Sequence, residues 1–233
     1  MNQKKAVIIF SGGQDSTTCL ALAKSQGYEC YALSFDYGQH HRIELEAAKK
    51  IAAKMGVHHK ILDIRTIGAL GGSALTDDAI EIKTHEQNKL NNSIPSTYVP
   101  ARNIIFLSIA LGYAEIVGAE VIYIGVSQVD YSNYPDCRLN FIKAFEHAAN
   151  EGTKAGVEDK GIKIITPLIE LDKAGMVKIG HELGVDYRDT VTCYQANSEG
   201  RACGQCDACY LRKKGFEDAG IADETHYYDL EKA

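Results

Sequence analysis

The chain has 233 residues, of which 25 are Lys or Arg and 31 are Asp or Glu, so its formal net charge is -6. That length allows one substantial hydrophobic core with a small appendage rather than two full-sized domains. A negative balance opposes the long-range attraction that RNA or DNA requires. We therefore expect a small-molecule substrate and no nucleic-acid partner.

The N-terminal sequence MNQKKAVIIF carries two lysines before an apolar run. The run is too short for a secretory signal, and no segment of the chain approaches the length of a membrane span. We expect a cytoplasmic protein with no membrane partner. In that compartment its 7 cysteines should be thiols or metal ligands rather than disulfides.

Apolar periodicity predicts strands that alternate with helices along the chain. In chain order, the pattern predicts a strand at 5–10, a helix at 14–23, a strand at 30–36, a helix at 43–55, a strand at 59–64, a helix at 103–117, a strand at 120–125, a helix at 137–150 and a strand at 162–166. This alternation predicts an α/β fold, a Rossmann-like parallel sheet with helices on both faces. Ligands bind such sheets beyond the carboxyl ends of the strands.

Residues 71–100 interrupt this alternation. They show no clear period and are rich in Asn, Ser, Thr and Asp. A connection of this length is unusual in a compact domain, and two interpretations stay open: a mobile lid over the substrate, and a disordered insertion.

The sequence S-G-G-Q-D-S, residues 11–16, lies between the first strand and its helix. Backbone N–H groups and the helix N-terminus can bind an anion there, and the two glycines let the backbone approach it. The loop lacks the signatures of a Walker A motif and of a dinucleotide site. It resembles the PP-loop of the N-type ATP pyrophosphatases, written S-G-G-x-D-S, which cleave ATP between the α and β phosphates. An ordinary glycine turn with Asp15 or Ser16 as helix cap is the simpler alternative.

Four cysteines near the C-terminus have the spacing C-x9-C-x2-C-x2-C. They are Cys193, Cys203, Cys206 and Cys209. Four thiolates suit a tetrahedral Zn²⁺ with no open position for water, so a structural zinc is expected. An iron-sulfur cluster is the competing interpretation. The remaining cysteines are predicted to be small buried residues without a functional role, namely Cys19, Cys30 and Cys137.

Other polar residues follow the predicted strands. Tyr37 and Gln39 come after the second strand and are candidates for substrate binding. Arg102 lies at a helix N-terminus, where its charge opposes the helix dipole unless an anion is bound. Lys173 opens a helix after the fifth strand and can reach nucleotide phosphates.

The loop at 125–138 reads GVSQVDYSNYPDCR, and its acidic and aromatic side chains suit a guanine-like ring. Asp130 can accept hydrogen bonds from the N–H edge of such a ring, and Tyr131 or Tyr134 can stack on it. Asp136 follows Pro135 and is interpreted as the N-cap of the next helix rather than as a substrate ligand.

Together, FSGGQDSTTCL, FDYGQ, VPARN, YPDCR, TPL with Lys173 and the four-cysteine tail resemble the 7-cyano-7-deazaguanine synthases over nearly the whole chain. The resemblance implies an adenine nucleotide alpha hydrolase-like fold, with an ATP-binding domain at 1–186 and a zinc-binding segment at 187–233. It also implies a homodimer. The ATP-binding segment it implies consists of Phe10, Ser11, Gly12, Gly13, Gln14, Asp15, Ser16, Thr17, Thr18, Cys19 and Leu20.

The resemblance further implies an ATP-dependent ligase of queuosine biosynthesis. Such an enzyme converts 7-carboxy-7-deazaguanine and ammonia to the nitrile through an adenylated acid and an adenylated amide, and it releases AMP and pyrophosphate. Positioning and charge neutralisation by Asp15, Ser16, Lys173, Arg102 and Mg²⁺ should supply most of the catalysis. Because the chain begins Met-Asn and not with a Cys nucleophile, free ammonia is the expected nitrogen source.

Two other functions remain open on the sequence. One is a PP-loop tRNA thiolase whose cysteines hold an iron-sulfur cluster, although the net charge disfavours an RNA-binding face. The other is a zinc-ribbon module that binds nucleic acid, with the N-terminal domain as its scaffold.

Overall fold

The computed structural model describes residues 3–89, 93–128 and 134–228. Its centre is a parallel sheet in the order β3-β2-β1-β4-β5. The strands are β1 Lys5–Ile9, β2 Glu29–Asp36, β3 His58–Asp63, β4 Val121–Tyr123 and β5 Lys163–Ile165. The predicted α/β fold is therefore confirmed.

Helices cover both faces of the sheet. They are α1 Gln14–Ser25, α2 Ile43–Met55, α3 His85–Lys89, α4 Arg102–Val117, α5 Leu139–Gly152, α6 Lys154–Val157, α7 Lys173–Glu182 and α8 Asp207–Ala219. The helix predicted at 137–150 begins later than expected, because residues 135–137 form a separate 3-10 turn. Among the described residues, none of these helices is both long and apolar enough to cross a bilayer.

Successive side chains of β1 point to opposite faces of the sheet, so the core has two layers. Val7 and Ile9 join a cluster with residues of α4 and α5, whereas Ala6 and Ile8 pack with residues of α1 and α2 on the other face. A strand buried on both faces reads as a continuous apolar run, which is the pattern at the N-terminus of this chain.

The position of β1 determines where a ligand can bind. The chain passes from β1 to β2 and β3 on one side, and then returns to β4 and β5 on the other. The helices that follow β1 and β2 therefore diverge from the segments that follow β4 and β5, and a crevice opens at the carboxyl ends of the central strands.

The described parts of residues 71–100 are packed, so the interpretation of a disordered insertion is wrong for them. Ser73 and Val99 are buried, and the N–H of Ala74 donates to Ser96 O at 2.8 Å. The N–H of His85, the first residue of α3, donates to Gln205 O at 3.0 Å. Short polar segments of this kind are held by contacts distant in sequence, which local periodicity does not reveal. The interpretation as a lid stays a prediction.

A buried cation, Arg212, holds together the start and the end of the C-terminal segment. Arg212, on α8, pairs with Asp223 at 3.1 Å, and their side chains are 3% and 11% exposed. Its guanidinium also donates to Tyr187 O at 3.0 Å and to Thr190 Oγ1 at 2.7 Å. All of these bonds lie within the predicted segment at 187–233, and the division into two domains stays a prediction.

Candidate active site and metal centre

The PP-loop connects β1 to α1, with Gly13 as the N-cap residue of α1. Gly12 has a φ of 81°, and a Cβ there would lie 2.6 Å from the backbone nitrogen of Ala48 in α2. Only glycine tolerates this conformation together with this close approach. The Ser11 and Ser16 hydroxyls lie 3.1 Å apart, so two hydroxyl groups lie together beside the start of α1.

The side chains of Lys173 and Asp15 meet beside the loop. Lys173 Nζ lies 2.7 Å from Asp15 Oδ2, and the two side chains are 13% and 28% exposed. Within the part of the chain that the structure describes, the other carboxylate oxygen of Asp15 is buried without a hydrogen-bond partner. A buried polar atom in that state is stabilised when a ligand or ion supplies the missing partner.

Gln14 shows the same property. It is completely buried, and neither atom of its carboxamide has a hydrogen-bond partner among the described residues. It borders the same cavity as Asp15.

That cavity has a volume of about 290 Å³ and lies at the carboxyl ends of the central strands. Sequence-predicted site residues from five different segments line it: Ser11, Gly13, Gln14, Asp15, Ser16, Tyr37, Gln39, Arg102, Tyr134 and Lys173. The structure thus brings the predicted phosphate-binding and substrate-binding residues to one place.

The remaining residues of the predicted ATP-binding segment lie behind the loop. Phe10, Cys19 and Leu20 are buried in the core. Thr17 Oγ1 donates to Gly13 O at 2.8 Å, and Thr18 Oγ1 donates to Gln14 O at 2.9 Å. Through these side chains they support the loop, and a direct contact with ATP stays a prediction.

Arg102 enters the cavity from the first turn of α4. It donates to Tyr37 Oη at 3.4 Å, and its guanidinium lies 5.7 Å from the centroid of the Tyr37 ring and 6.0 Å from that of Phe106. Aromatic faces attract a cation without neutralising it. Arg102 therefore keeps a full charge for an anionic ligand.

Asp136 caps a different helix from the one predicted. Its Oδ2 accepts from the backbone N–H of Asn103, in the first turn of α4, at 3.1 Å. The N-cap residue of α5 is Arg138, whose own side chain makes no capping hydrogen bond among the described residues. The capping role was inferred correctly, but its target was wrong because Asn103 is 33 residues away in the sequence.

Tyr134 lines the cavity and is 9% exposed. Its hydroxyl lies 2.6 Å from Thr97 Oγ1, so it also ties the segment at 93–100 to the cavity wall. Asp130 and Tyr131, the other two candidates in this loop, lie outside the described residues.

Gln39 is held by its own loop. Its Oε1 accepts from Tyr37 N at 2.9 Å, and its Nε2 donates to Phe35 O at 3.2 Å and to Glu44 Oε1 at 2.8 Å. Glu44 lines the cavity, and sequence reasoning missed it. An acidic residue in the first turn of a helix is common because it complements the helix dipole, so nothing in the sequence marked it.

Residues that follow α7 form another wall that the sequence did not predict. The N–H of Val191 donates to Gly12 O at 3.1 Å, and Gln14 N donates to Thr192 Oγ1 at 3.4 Å. Gly125, after β4, would bring a Cβ within 3.1 Å of the Asp15 carbonyl carbon. The PP-loop is therefore supported from both sides by segments distant in sequence.

The four clustered cysteines come together in space. Their sulfur atoms all lie within 4.8 Å of one another, and all four residues are buried. Cys193 Sγ lies 4.0 Å from Cys206 Sγ, and Cys203 Sγ lies 3.9 Å from Cys209 Sγ. Four thiolates bound tetrahedrally at about 2.3 Å from zinc would be separated by about 3.8 Å.

Backbone N–H groups also point at these sulfurs. Gln195 N and Cys203 N each donate to Cys193 Sγ at 3.2 Å. Donors of this kind stabilise thiolates and orient them toward a metal. The arrangement fits the predicted structural metal centre, and Cys193 also borders the cavity.

The other three cysteines are buried thiols, as predicted. Burial raises the pKa of Cys30 to about 11 and that of Cys137 to about 12. Burial also raises the pKa of Cys19 far above its ordinary value. Thiols in this state are poor nucleophiles and poor metal ligands at neutral pH.

Solved structures share this fold at low sequence identity. A 4-thiouridine synthetase in complex with RNA and bound ATP is similar with a TM-score of 0.53 and 20% identity, over 98% of this chain and 49% of that chain. The NMN synthetase of Francisella tularensis is similar with a TM-score of 0.51 and 16% identity, over 95% of this chain and 79% of that chain. These likenesses confirm the adenine nucleotide alpha hydrolase-like fold.

Curated relatives are much closer in sequence, and the three that follow carry the name 7-cyano-7-deazaguanine synthase. A protein of Coxiella burnetii is 60% identical, over 96% of this chain and 98% of its own length. A protein of Saccharophagus degradans is 58% identical, over 97% of this chain and 99% of its own length. A protein of Pseudomonas fluorescens is 56% identical, over 98% of this chain and 100% of its own length. A family model described as queuosine biosynthesis protein QueC matches residues 5–220. The chain belongs to the QueC family of queuosine biosynthesis proteins.

Proposed function

We propose that the chain is a 7-cyano-7-deazaguanine synthase, an ATP-dependent carbon-nitrogen ligase that converts 7-carboxy-7-deazaguanine and ammonia to the nitrile. The observation that carries this proposal is the meeting of the PP-loop with Lys173, Arg102 and the orphaned oxygen of Asp15 in one cavity. The name shared by relatives at 55–60% identity supports the choice of substrate.

The reaction first has to turn a carboxylate into an electrophile. A carboxylate oxygen attacks the α-phosphorus of ATP and pyrophosphate leaves, which gives an acyl adenylate. Ammonia then forms a C–N bond as the C–O bond to AMP breaks, and the product is the amide. In a second cycle the amide oxygen attacks the α-phosphorus of another ATP and pyrophosphate leaves, and loss of AMP and of the two nitrogen-bound protons gives the nitrile.

No step of this route needs a protein nucleophile, so the residues act by positioning and by charge. The loop N–H groups and the hydroxyls of Ser11 and Ser16 bind the pyrophosphate portion of ATP. Lys173 and Arg102 neutralise the negative charge that develops as pyrophosphate leaves. Charge-assisted hydrogen bonds of this kind are among the stronger polar contacts in a partly buried site.

Asp15 fits the role of a ligand for Mg²⁺ that accompanies ATP. One of its oxygens is buried without a partner among the described residues, and carboxylate oxygen is a preferred ligand of Mg²⁺. When bound, the ion neutralises phosphate charge. The four cysteines hold a structural Zn²⁺ that ties the C-terminal segment to the cavity wall.

The aromatic part of the cavity suits the deazapurine ring. Tyr37 and Tyr134 both border the space next to Arg102, and flat rings stack favourably on such side chains. We assign Tyr37, Gln39 and Tyr134 to the substrate pocket, together with Asp130 and Tyr131 from the segment outside the described residues.

We also propose a homodimer formed through α4. Between Arg102 and Glu115 this helix carries no charged residue. Two of its apolar side chains, Ile104 and Ile116, are 42% and 82% exposed. Ile116→Lys should convert the dimer to a monomer in native mass spectrometry, whereas Val157→Lys, at another exposed apolar site, should not. A monomeric wild-type protein would contradict this assembly.

The function is tested by supplying 7-carboxy-7-deazaguanine, ammonium and ATP and identifying the products by mass spectrometry. Nitrile, AMP and pyrophosphate are expected. Asp15→Asn should abolish AMP formation with zinc content unchanged, while Asp159→Asn, in a surface turn, should behave as the wild type. ADP in place of AMP, or AMP formation that survives Asp15→Asn, would overturn the proposal.

A further inference from the structure

Glu44 is a cavity carboxylate to which the reaction above gives no role. It lies in the first turn of α2 and is half-buried. Its backbone oxygen lies close to the PP-loop, at 2.7 Å from the point where a Cβ on Gly12 would be. Glu44 therefore lies near the place where the loop would hold the phosphates, and it lines the same cavity as Asp15 and Lys173.

The carboxylate is fixed in position by Gln39. The Tyr37 N–H holds the oxygen of the Gln39 carboxamide at 2.9 Å, so the amide nitrogen is directed to Glu44 Oε1 at 2.8 Å. A carboxylate offers about four acceptor positions, and Gln39 fills one. Glu44 can therefore accept further hydrogen bonds from a cationic ligand in the cavity.

The groups around Glu44 leave it able to exchange a proton at neutral pH. Burial raises its pKa to about 7, although the Gln39 hydrogen bond and the charge of Arg102 on α4 act in the opposite direction. On the β2–α2 loop, burial raises the pKa of Tyr37 to about 12 and lowers that of His41, so both are neutral there. His40, on the same loop, is directed to Asp78.

We propose that Glu44 binds ammonium beside the PP-loop and accepts a proton from it, so that ammonia is released next to the acyl adenylate. This inference rests on the proposed function. It answers a chemical need, because ammonia is almost entirely protonated at neutral pH and ammonium has no lone pair for attack.

The proposed step transfers one proton to Glu44 and forms the C–N bond of the amide. An N–H bond of ammonium breaks, and its proton joins the Glu44 carboxylate. The freed lone pair forms the C–N bond to the acyl carbon, and the C–O bond to AMP breaks with its electron pair on the AMP oxygen. The nitrogen loses one more proton to solvent as the amide forms, and Glu44 returns its own proton to solvent.

The two half-reactions separate this role from a structural one. Amide formation from the 7-carboxy compound consumes ammonia, whereas conversion of the supplied 7-carboxamide to the nitrile consumes only ATP. Glu44→Gln should lower kcat/KM for ammonium by about 10²-fold, the lower end of what general-base groups contribute. It should leave the ATP-driven conversion of the carboxamide and the KM for the carboxy substrate within about twofold of wild type.

The pH profile provides a second readout. Rates of Glu44→Gln should rise with the concentration of free ammonia across the neutral range, while the wild type should level off near the pKa of Glu44. Glu44→Asp keeps a carboxylate and should retain the wild-type shape of the profile at a lower rate. Glu46→Gln, two residues away on the exposed face of α2, is the matched control and should match the wild type.

Three results would overturn the inference. Equal losses of rate in both half-reactions of Glu44→Gln would show that Glu44 has a structural role only. If that variant does not fold, equal losses in Glu44→Asp would show the same. A raised KM for the carboxy substrate with an unchanged KM for ammonium would assign Glu44 to the deazapurine edge. Wild-type activity of Glu44→Gln would refute the role of Glu44 and leave the proposed function standing. A wild-type protein that makes neither amide nor nitrile would refute the proposed function itself.

Discussion

Replacing Gly12 with alanine perturbs the contact between the PP-loop and α2. Gly12 has a φ of 81°, and an added Cβ would lie 2.6 Å from Ala48 N, 2.7 Å from Glu44 O and 2.9 Å from Ala48 Cα. All three are backbone atoms of a helix, so none can rotate away. The loop or the helix must move to admit one methyl group.

The magnitude follows from two contributions. A non-glycine residue in the left-handed region costs about 1–2 kcal/mol, and forcing an extra methyl group into a packed site costs about 1–3 kcal/mol. Gly12→Ala should therefore lower the free energy of unfolding by about 2–5 kcal/mol. Gly27 is the matched control, because its φ is 83° and nothing lies within 4 Å of its added Cβ. Gly27→Ala should lose only the first contribution.

Thermal unfolding and ATP kinetics measure the two effects. For a chain of this size each kcal/mol corresponds to about 2–4 °C in Tm. Gly12→Ala should lower Tm more than Gly27→Ala does and should lose AMP release, because the displaced backbone no longer fits the phosphates. Equal Tm losses in the two variants, together with a wild-type KM for ATP in Gly12→Ala, would show that the loop admits a methyl group at Gly12 without moving.

Three further predictions follow from the metal centre, the buried ion pair and the cavity carboxyl. Cys206→Ser should lose its zinc by elemental analysis and unfold at a lower temperature, whereas Cys30→Ser should keep it; retained zinc in Cys206→Ser would contradict the assigned ligands. Asp223→Ala leaves the Arg212 cation buried without its carboxylate partner and should lower the free energy of unfolding in urea by about 3–5 kcal/mol, and a loss under about 1 kcal/mol would show that this pair contributes little to the fold. Burial raises the pKa of Glu44 from 4.5 to about 7, so the folded state holds this proton more tightly than the unfolded chain does. The protonated carboxyl therefore stabilises the fold at low pH, and this stabilisation is lost as the pH rises from the unfolded pKa through the folded one. The urea midpoint of the wild type, measured relative to that of Glu44→Gln, should accordingly fall as the pH rises between these two pKa values. A difference between the two midpoints that does not change with pH would contradict this prediction.

The features predicted from the sequence are those encoded within short segments. The apolar run before Ser11 and the glycines after it predict a strand, a loop and a helix, because backbone preference and burial act over a few residues. The cysteine spacing likewise predicts a metal centre, since three of the four ligands lie within seven residues of one another. These parts of the fold and site agree with the structure.

The parts that were missed depend on contacts between distant segments. Gln14 N donates to Thr192 Oγ1 across 178 residues, and Arg212 meets Tyr187 O across 25. Glu44 has an ordinary sequence context, and only the tertiary fold brings it to the cavity. The described parts of residues 71–100 are held by buried residues such as Ser73 and Val99 rather than by a local period.

In the proposed mechanism, the PP-loop holds the outer phosphates of ATP while a substrate oxygen attacks the α-phosphorus. The decisive measurement is turnover of 7-carboxy-7-deazaguanine labelled with oxygen-18 in both carboxylate positions. Two AMP per nitrile are expected, each carrying one oxygen-18 atom in its phosphate, with none in pyrophosphate. Label found in orthophosphate or water, or nucleotide released as ADP, would contradict it.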